Sequence, residues 1–462
     1  MLTRLRGLTQ SSLGQRLAMA TMTSGAVWAA GTLATFCVGV VLARQLGPGG
    51  YGIYGTAIAL VTLLAVPAQL GLPLLATREA SAARVRGRAD EVAALAWWFA
   101  LAVGIASLLL ATALWICAEA LPLAPSLKPA LTVAAILLPA LALSALATGL
   151  LRGQERVVTS QLLDVLVRPL AFLTALLVWS QPLGAAGAIC AQTLAAGGIT
   201  AIGFALFYVR LPRGAGRSPP RLRAWTAAAL PMTLLEAMRA LEGSYGVLLA
   251  SYAASITDAG VLRVAMACSA VVSVPISLQN IVVGPFLAGA HAAGERQRLA
   301  RIVAGSTIFM TVSVGAATLG VAVAGRWMLP LAFGSDFVGA YWPLLVLSCN
   351  QLLAAALGPS VMLLSMTGHE RVVARAFVAS VMAAVATGLV LTPLFGAVGA
   401  AASILVATIV RAGILNRFAR RTLGIKPSLL GTASLFDTGS LQFLRTWSFG
   451  RGRGLNQKRR RL

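Results

Sequence analysis

A small set of charged residues lies within or beside long apolar segments, where a charge is costly. An ionisable side chain in a bilayer core costs on the order of 2.5–3.5 kcal/mol on insertion scales, so such residues are usually retained for a function. The set comprises Arg44, Arg78, Asp164, Arg168, Glu236, Arg239, Glu242 and Arg263. These residues are the candidates for contact with a charged substrate or a coupling ion.

The spacing of these residues suggests two kinds of role. Asp164 and Arg168 are four residues apart, which places them on one helix face, either as a self-satisfied ion pair or as part of a cavity. Glu236, Arg239 and Glu242 follow one another at intervals of three and leave one net negative charge. Such a trio fits an ion or proton site, or a pairing network with another helix.

The remaining arginines lie at the ends of apolar segments. Arg44 and Arg78 flank the second segment, and Arg263 follows Asp258 near the start of the eighth. The planar guanidinium binds phosphate oxygens through paired hydrogen bonds. A cavity that contains these arginines would therefore suit an anionic substrate.

The sequence does not predict a metal site or an enzyme. The five cysteines lie alone in different segments, and the two histidines have no partner at metal-ligand spacing. The loops that the topology places outside are short and hold few acids, whereas a membrane glycosyltransferase would need catalytic carboxylates there. We therefore expect no catalytic residue and no bound cofactor.

The composition identifies the elements that position these charges. Of the 462 residues, 58% are hydrophobic and 11% are charged, against about a quarter charged in soluble domains. This excludes a soluble enzyme, a secreted disulfide scaffold and a disordered chain. At about 20 residues per crossing, the apolar runs predict an all-α polytopic membrane protein with about 12 transmembrane helices. They lie near residues 18–43, 51–76, 92–117, 130–151, 157–179, 185–209, 225–250, 260–288, 302–324, 341–366, 372–392 and 397–416.

The basic residues predict the orientation of these helices. Of the 37 lysines and arginines, only Arg44, Lys128 and Arg326 fall in loops on one side, and three more lie in the spans. By the positive-inside bias, the other side and both termini are cytoplasmic. The net charge of +24 thus reflects membrane topology, and no nucleic-acid partner is expected.

Two halves of the chain repeat each other. The segment that begins Gly153-Gln154-Glu155-Arg156 returns at Gly368, and the segment that begins Leu183-Gly184-Ala185 returns at Phe395, at offsets of 215 and 212. Weaker echoes pair Gly52 with Gly260 and Pro67 with Pro275, both at an offset of 208. Six helices per repeat make this a parallel repeat, with halves related by an axis along the membrane normal.

The repeat predicts four regions and a mechanism. Residues 1–209 form the first six-helix lobe, 210–224 a basic cytoplasmic linker rich in proline and glycine, 225–420 the second lobe, and 421–462 a basic cytoplasmic tail. The tail is typical of a solvated segment that attracts anionic lipid headgroups. Two lobes joined by a flexible linker can rock against each other, which is the plan of a transporter.

The segment Ala43-Arg44-Gln45-Leu46-Gly47-Pro48-Gly49-Gly50-Tyr51-Gly52-Ile53-Tyr54 resembles a known family. With Gly71-Leu72-Pro73 and Thr77-Arg78-Glu79, it is similar to the Wzx-type polysaccharide flippases. These belong to the superfamily of multidrug, oligosaccharidyl-lipid and polysaccharide exporters, and the resemblance covers about residues 15–420.

The resemblance implies two lobes in a V shape that work by alternating access. The implied cargo is a polysaccharide repeat unit, of O-antigen or exopolysaccharide, linked to undecaprenyl diphosphate in the bacterial cytoplasmic membrane. Coupling to a proton or sodium gradient occurs in some members, and a polysaccharide polymerase and a chain-length regulator are the implied protein partners. The alternative is a cation-coupled multidrug exporter of the same superfamily, which should have an acidic cavity.

Overall fold

A computed structural model of the protein describes residues 2–122, 124–178, 184–209 and 222–429, and all of its regular elements are helical. The first lobe contains α1 (Leu2–Gln69), α2 (Leu72–Val85), α3 (Ala89–Ala120), α4 (Leu127–Gly153), α5 (Val157–Gln161), a π-helical segment (Leu162–Val167), α6 (Arg168–Val178) and α7 (Ala185–Tyr208). The second lobe contains α8 (Leu222–Ala253), α9 (Ile256–Val272), α10 (Val274–Ala292), α11 (Arg296–Phe333), a 3₁₀ turn (Ser335–Ala340), α12 (Tyr341–Ala356), α13 (Ser360–Met366) and α14 (Glu370–Thr422).

Two of these helices are too long to cross the membrane once. At 1.5 Å per residue, the 53 residues of α14 would extend about 80 Å, whereas the hydrocarbon core is about 30 Å thick. Each long helix is divided by a glycine with a left-handed φ, which is 63° at Gly47 in α1 and 57° at Gly396 in α14. Glycine adopts this conformation without a Cβ clash, so the chain turns back there.

The number of crossings agrees with the sequence prediction. In the described part of the chain, eight helices are long and apolar enough to cross a membrane, and the bent pair α9–α10 would make nine. Dividing α1 and α14 at their glycines makes eleven. The twelfth is α8, which is long enough at 32 residues but is not one of the helices that are also apolar enough. The protein is thus an all-α polytopic membrane protein with two six-helix lobes.

Three predicted spans are less regular than the hydropathy suggests. The second span breaks at Leu70 and Gly71, both with positive φ, and resumes as α2. The eighth bends by 45° between α9 and α10, and the tenth ends at Ala356 before a short α13. Apolar composition predicts burial in lipid, but it does not reveal where a helix breaks.

The turns of the two lobes correspond, but the residues that match in sequence differ in conformation. Gly368 has the left-handed conformation that ends a helix, with a φ of 78°, whereas Gly153 does not. Instead Glu155 has the positive φ, of 61°, and Gly153 packs against α2, where a methyl group would lie 2.6 Å from Ala80 Cβ. The matching turn residues are therefore Glu155 and Gly368, so the offset is 213 and not 215.

The regions next to the lobes are described only in part. Residues 210–221 of the predicted linker (210–224) lie outside the described residues, and α8 begins at Leu222. Of the predicted tail, residues 430–462 also lie outside.

We call the side of the bundle that holds Gly47 and Gly396 the Gly47 side, and the side that holds Gly87 and Gly294 the Gly87 side. The charge bias predicts that the Gly87 side is cytoplasmic.

Candidate functional site

Two neighbouring cavities lie between the lobes. The first has a volume of about 340 Å³ and the second about 320 Å³, within the range of ligand sites. Both are walled by α1 and α6 of the first lobe and by α9 of the second, and they share Arg168 and Ala267. A substrate in these cavities would contact both lobes at once.

Asp164 and Arg168 form the ion pair that their spacing predicted. Arg168 Nη1 lies 3.0 Å from Asp164 Oδ1, and each side chain is about one third exposed. Asp164 lies in the π-helical segment, a wider turn that is often found at functional sites. The segment packs closely on α1, because a methyl group at Gly31 would overlap the carbonyl of Val165. Arg168 lines both cavities, and its charge there is balanced by Asp164.

Arg263 is the second cation of the first cavity. It lies two turns into α9, and its guanidinium carbon is 5.3 Å from the ring centre of Tyr54 and 5.9 Å from that of Tyr51. These distances are typical of cation–π contacts. Asp258, one turn earlier, does not neutralise it, because that carboxylate accepts hydrogen bonds from the Ser255 hydroxyl (2.6 Å) and the Ala397 amide (3.1 Å).

The Nε of Arg263 is buried and has no hydrogen-bond acceptor among the described residues. A buried donor without an acceptor costs about 1–3 kcal/mol. Tyr51 and Tyr54 hold the Arg263 side chain in place, because the guanidinium lies over both rings. The two rings are stacked on each other with centroids 6.0 Å apart. Tyr54 also donates its hydroxyl hydrogen to Gln192 Oε1 at 2.7 Å, which fixes this ring beside the guanidinium. The cavity therefore contains a cation that is positioned but not neutralised.

The other arginine candidates lie elsewhere. Arg78 pairs with its neighbour Glu79 at 2.9 Å near the Gly87 side and is exposed. Arg44 is exposed near the Gly47 side, where its Nε donates to the carbonyl of Ala332 at 2.7 Å and its Nη2 to that of Leu331. These carbonyls belong to the last turn of α11, so Arg44 links the two lobes by capping a helix.

The trio on α8 is divided. Glu236 and Arg239 face each other at 3.6 Å and are 40% and 65% exposed. Glu242 pairs instead with Arg411 of α14, whose guanidinium carbon also lies 4.8 Å from the Phe377 ring centre. None of the trio lines the two cavities described above. In the described part of the chain, no three His, Cys, Asp or Glu residues are grouped as a metal site would require.

Sequence reasoning missed three residues of the first cavity. Tyr51 and Tyr54 were present in the segment that resembles the flippase family, but no role was assigned to them. Gln192 had no distinguishing signal, because one amide in an apolar helix is unremarkable in a sequence. Arg411 was counted among the cytoplasmic basic residues, yet its side chain is only 16% exposed.

Comparison of the whole chain with solved structures identifies the fold. An inward-facing multidrug resistance MATE family transporter of the MOP superfamily aligns with a TM-score of 0.68 and 14% identity, over 89% of this chain and 96% of that one. Its outward-facing form aligns at 0.62 and 13%, over 88% and 95%. A Vibrio cholerae MATE transporter aligns at 0.61 and 14%, over 88% and 98%. At such identities the likeness concerns the fold.

The sequence itself matches a family. Residues 21–291, more than half of the chain, match the family described as "Polysaccharide biosynthesis protein". No protein with a curated function matches the sequence. The chain thus combines a match to this family with the multi-pass fold of the MATE transporters. The chain therefore belongs to the polysaccharide biosynthesis protein family.

Proposed function

We propose that the protein is a flippase for lipid-linked oligosaccharide. It would move polysaccharide repeat units, attached to undecaprenyl diphosphate, across the bacterial cytoplasmic membrane by alternating access of the two lobes. The observation that carries the proposal is the guanidinium of Arg263, which lines a cavity walled by both lobes and whose Nε has no acceptor among the described residues. A diphosphate in this cavity would offer hydrogen-bond acceptors to the guanidinium that lines it.

The charge of the cavities supports an anionic substrate over a cationic one. Their described lining holds Arg168, Arg263 and Asp164, and the acid is already paired with Arg168. An exporter of organic cations would need a free carboxylate there, because a buried cation requires a counter-charge. The net positive charge therefore favours the flippase over the multidrug exporter.

Energy coupling is part of the proposal. A proton or sodium gradient would drive the transport, with Asp164 and Glu242 as the candidate carboxylates. Each is held by an arginine, Arg168 and Arg411 respectively, so an ion would have to compete with an existing pair. In the proposed orientation the Gly87 side faces the cytoplasm, and a polysaccharide polymerase and a chain-length regulator are the proposed protein partners.

The test is translocation by purified protein in proteoliposomes. A fluorescent oligosaccharide on undecaprenyl diphosphate is supplied, and the fraction protected from an impermeant quencher is followed with time. Arg263→Ala should lower the initial rate about tenfold or more, because a hydrogen bond to a charged group contributes about 1.5–3 kcal/mol. Arg326→Ala is the matched control. That arginine also lies on two aromatic rings, Tyr341 at 5.0 Å and Trp342 at 5.7 Å, but it is outside the lining of both cavities.

Two outcomes would contradict the proposal. If wild-type protein leaves the lipid-linked oligosaccharide unprotected but transports ethidium, the multidrug alternative is correct. If Arg263→Ala and Arg326→Ala translocate at the same rate, the Arg263 guanidinium does not bind the substrate.

A further inference from the structure

The lobes meet on the Gly47 side through two glycines that are equivalent in the repeat. A methyl group on Gly52 would overlap the carbonyl oxygen of Ile256 and lie 3.1 Å from the amide nitrogen of Gly260. A methyl group on Gly260 would overlap the carbonyl oxygen of Pro48 and lie 2.9 Å from the amide nitrogen of Gly52. We call this crossing of α1 and α9 the Gly52–Gly260 seam. Its two backbones are as close as glycine permits.

Arg263 crosses the same seam one turn further along. Its stem starts on α9 of the second lobe and passes over Gly55 of α1, where a methyl group would lie 2.7 Å from Arg263 Cδ. Its guanidinium then reaches Tyr51 and Tyr54, which also belong to α1. The cation therefore comes from one lobe, and the surface that positions it comes from the other.

This division makes the Arg263 site depend on the contact between the lobes. If α1 and α9 separate, Gly55 and both aromatic rings move away from the guanidinium together. Arg263 would then lose its defined direction, and a long unpaired side chain regains its rotamer freedom. The site is complete only while the Gly52–Gly260 seam is closed.

We propose that closure of the Gly52–Gly260 seam assembles the anion site at Arg263, and that an anion bound there in turn holds the seam closed. The proposal rests on the proposed function, because it assigns the same site to the diphosphate. Coupling of this kind is reciprocal. A change that opens the seam must therefore lower the binding affinity for the anion by the same factor by which the anion favours the closed seam. The anion is therefore released by the movement that exposes the cavity on the Gly47 side.

Gly55→Ala separates the anion site from the seam itself. The added methyl group displaces the Arg263 stem, while the Gly52–Gly260 contact is unchanged. Gly49→Ala is the matched control on the same helix, since no atom lies within 4 Å of the position a methyl group would take. The probe is inorganic pyrophosphate, with its binding measured by calorimetry on the full-length protein in nanodiscs.

The readout is hydrogen exchange of the backbone amides in residues 49–56 and 256–263, which exchange when the seam opens. In the wild type and in Gly49→Ala, saturating pyrophosphate should slow this exchange about fivefold or more, a typical coupling factor. In Gly55→Ala, pyrophosphate should bind more weakly and leave the exchange nearly unchanged. A second pair guards against misfolding of that variant: Tyr54→Phe keeps the ring and should keep the slowing, whereas Tyr54→Leu should reduce it.

Three results would overturn the proposal: no pyrophosphate binding by the wild type, binding without slower exchange, or equal slowing in Gly55→Ala and Gly49→Ala. These results are distinguishable from failure of the proposed function. A wild-type protein whose seam responds to pyrophosphate, but which does not translocate the lipid-linked oligosaccharide, would refute the flippase and retain the coupling.

Discussion

The lobes of this protein contact each other differently on the two sides of the membrane. On the Gly47 side, Gly52 and Gly260 occupy equivalent places in the repeat, and each faces the backbone of the other lobe. On the Gly87 side, Gly71 faces α8, where a methyl group would lie 2.5 Å from the carbonyl oxygen of Ala229 and 2.7 Å from Thr233 Oγ1. At the repeat offset of 208, the counterpart of Gly71 is Gln279, so this second contact is not symmetric.

The difference shows how each contact can open. The Gly52–Gly260 seam is backbone against backbone, so an added atom in either lobe must push the helices apart. The Gly71 contact has a glycine in one lobe only. Gly71 also has a φ of 66°, which disfavours any side chain there. The Gly52–Gly260 seam should therefore be more sensitive to an added side chain than the Gly71 contact. At Gly71, an added side chain would combine a packing effect with local backbone strain.

The largest effect should come from Gly260→Val. A branched side chain cannot fit against Pro48, and overpacking of this kind costs about 1–3 kcal/mol, so translocation in proteoliposomes should fall roughly 10- to 100-fold. Gly49→Val, near the same crossing but with open space around it, should translocate at close to the wild-type rate. Equal loss in the two variants would mean that helix propensity, and not the seam, accounts for the effect.

An intermediate effect is expected from Gly71→Ala. It should lower the free energy of unfolding by roughly 1–3 kcal/mol, as expected for a non-glycine residue held at positive φ, and slow translocation about fivefold. Gly87→Ala separates strain from packing, because Gly87 has a φ of 70° but no atom within 4 Å of its added methyl group. Denaturation of both variants in detergent measures the difference. If Gly87→Ala lowers the free energy of unfolding as much as Gly71→Ala does, the packing of Gly71 against α8 contributes nothing to stability.

The smallest effect should come from Arg44→Gln. This change removes the hydrogen bonds to Leu331 and Ala332 that link the lobes beside the Gly52–Gly260 seam. Because Arg44 is exposed, water replaces the lost partner, and the cost should be about 0.5–1 kcal/mol, or a two- to fivefold slower translocation. Arg84→Gln is the control, since its bond to the Gln154 carbonyl (2.7 Å) stays within one lobe. A greater loss from Arg84→Gln would show that Arg44 does not act between the lobes.

Much of the fold could be predicted from the sequence, because burial in lipid is a property of local composition. Apolar length located the twelve crossings, and charge bias predicts which of their ends are cytoplasmic. Spacing alone identified the Asp164–Arg168 pair, since both residues share one helix face. The breaks at Leu70 and Leu357 were not predicted, because apolar residues on both sides conceal them.

The candidate site could be predicted only in part. Arg263 was recognised as a charge beside a span, but its aromatic neighbours Tyr54 and Tyr51 lie 209 and 212 residues earlier in the chain, in the other lobe. The pairing of Glu242 with Arg411, 169 residues away, could not be read from the spacing of Glu236, Arg239 and Glu242 either. Periodicity reports which residues share a face, but not which helix that face meets.

The sequence by itself determined the membrane location, the repeat and the presence of costly charges, because each depends on residue type and order along the chain. It also showed that Gly52 and Gly260 are equivalent. Only the tertiary structure decided that these two glycines touch and that Arg263 lies across their seam on Tyr51 and Tyr54. The physical reason is that contact between lobes depends on the packing of helices distant in sequence, which local composition leaves open.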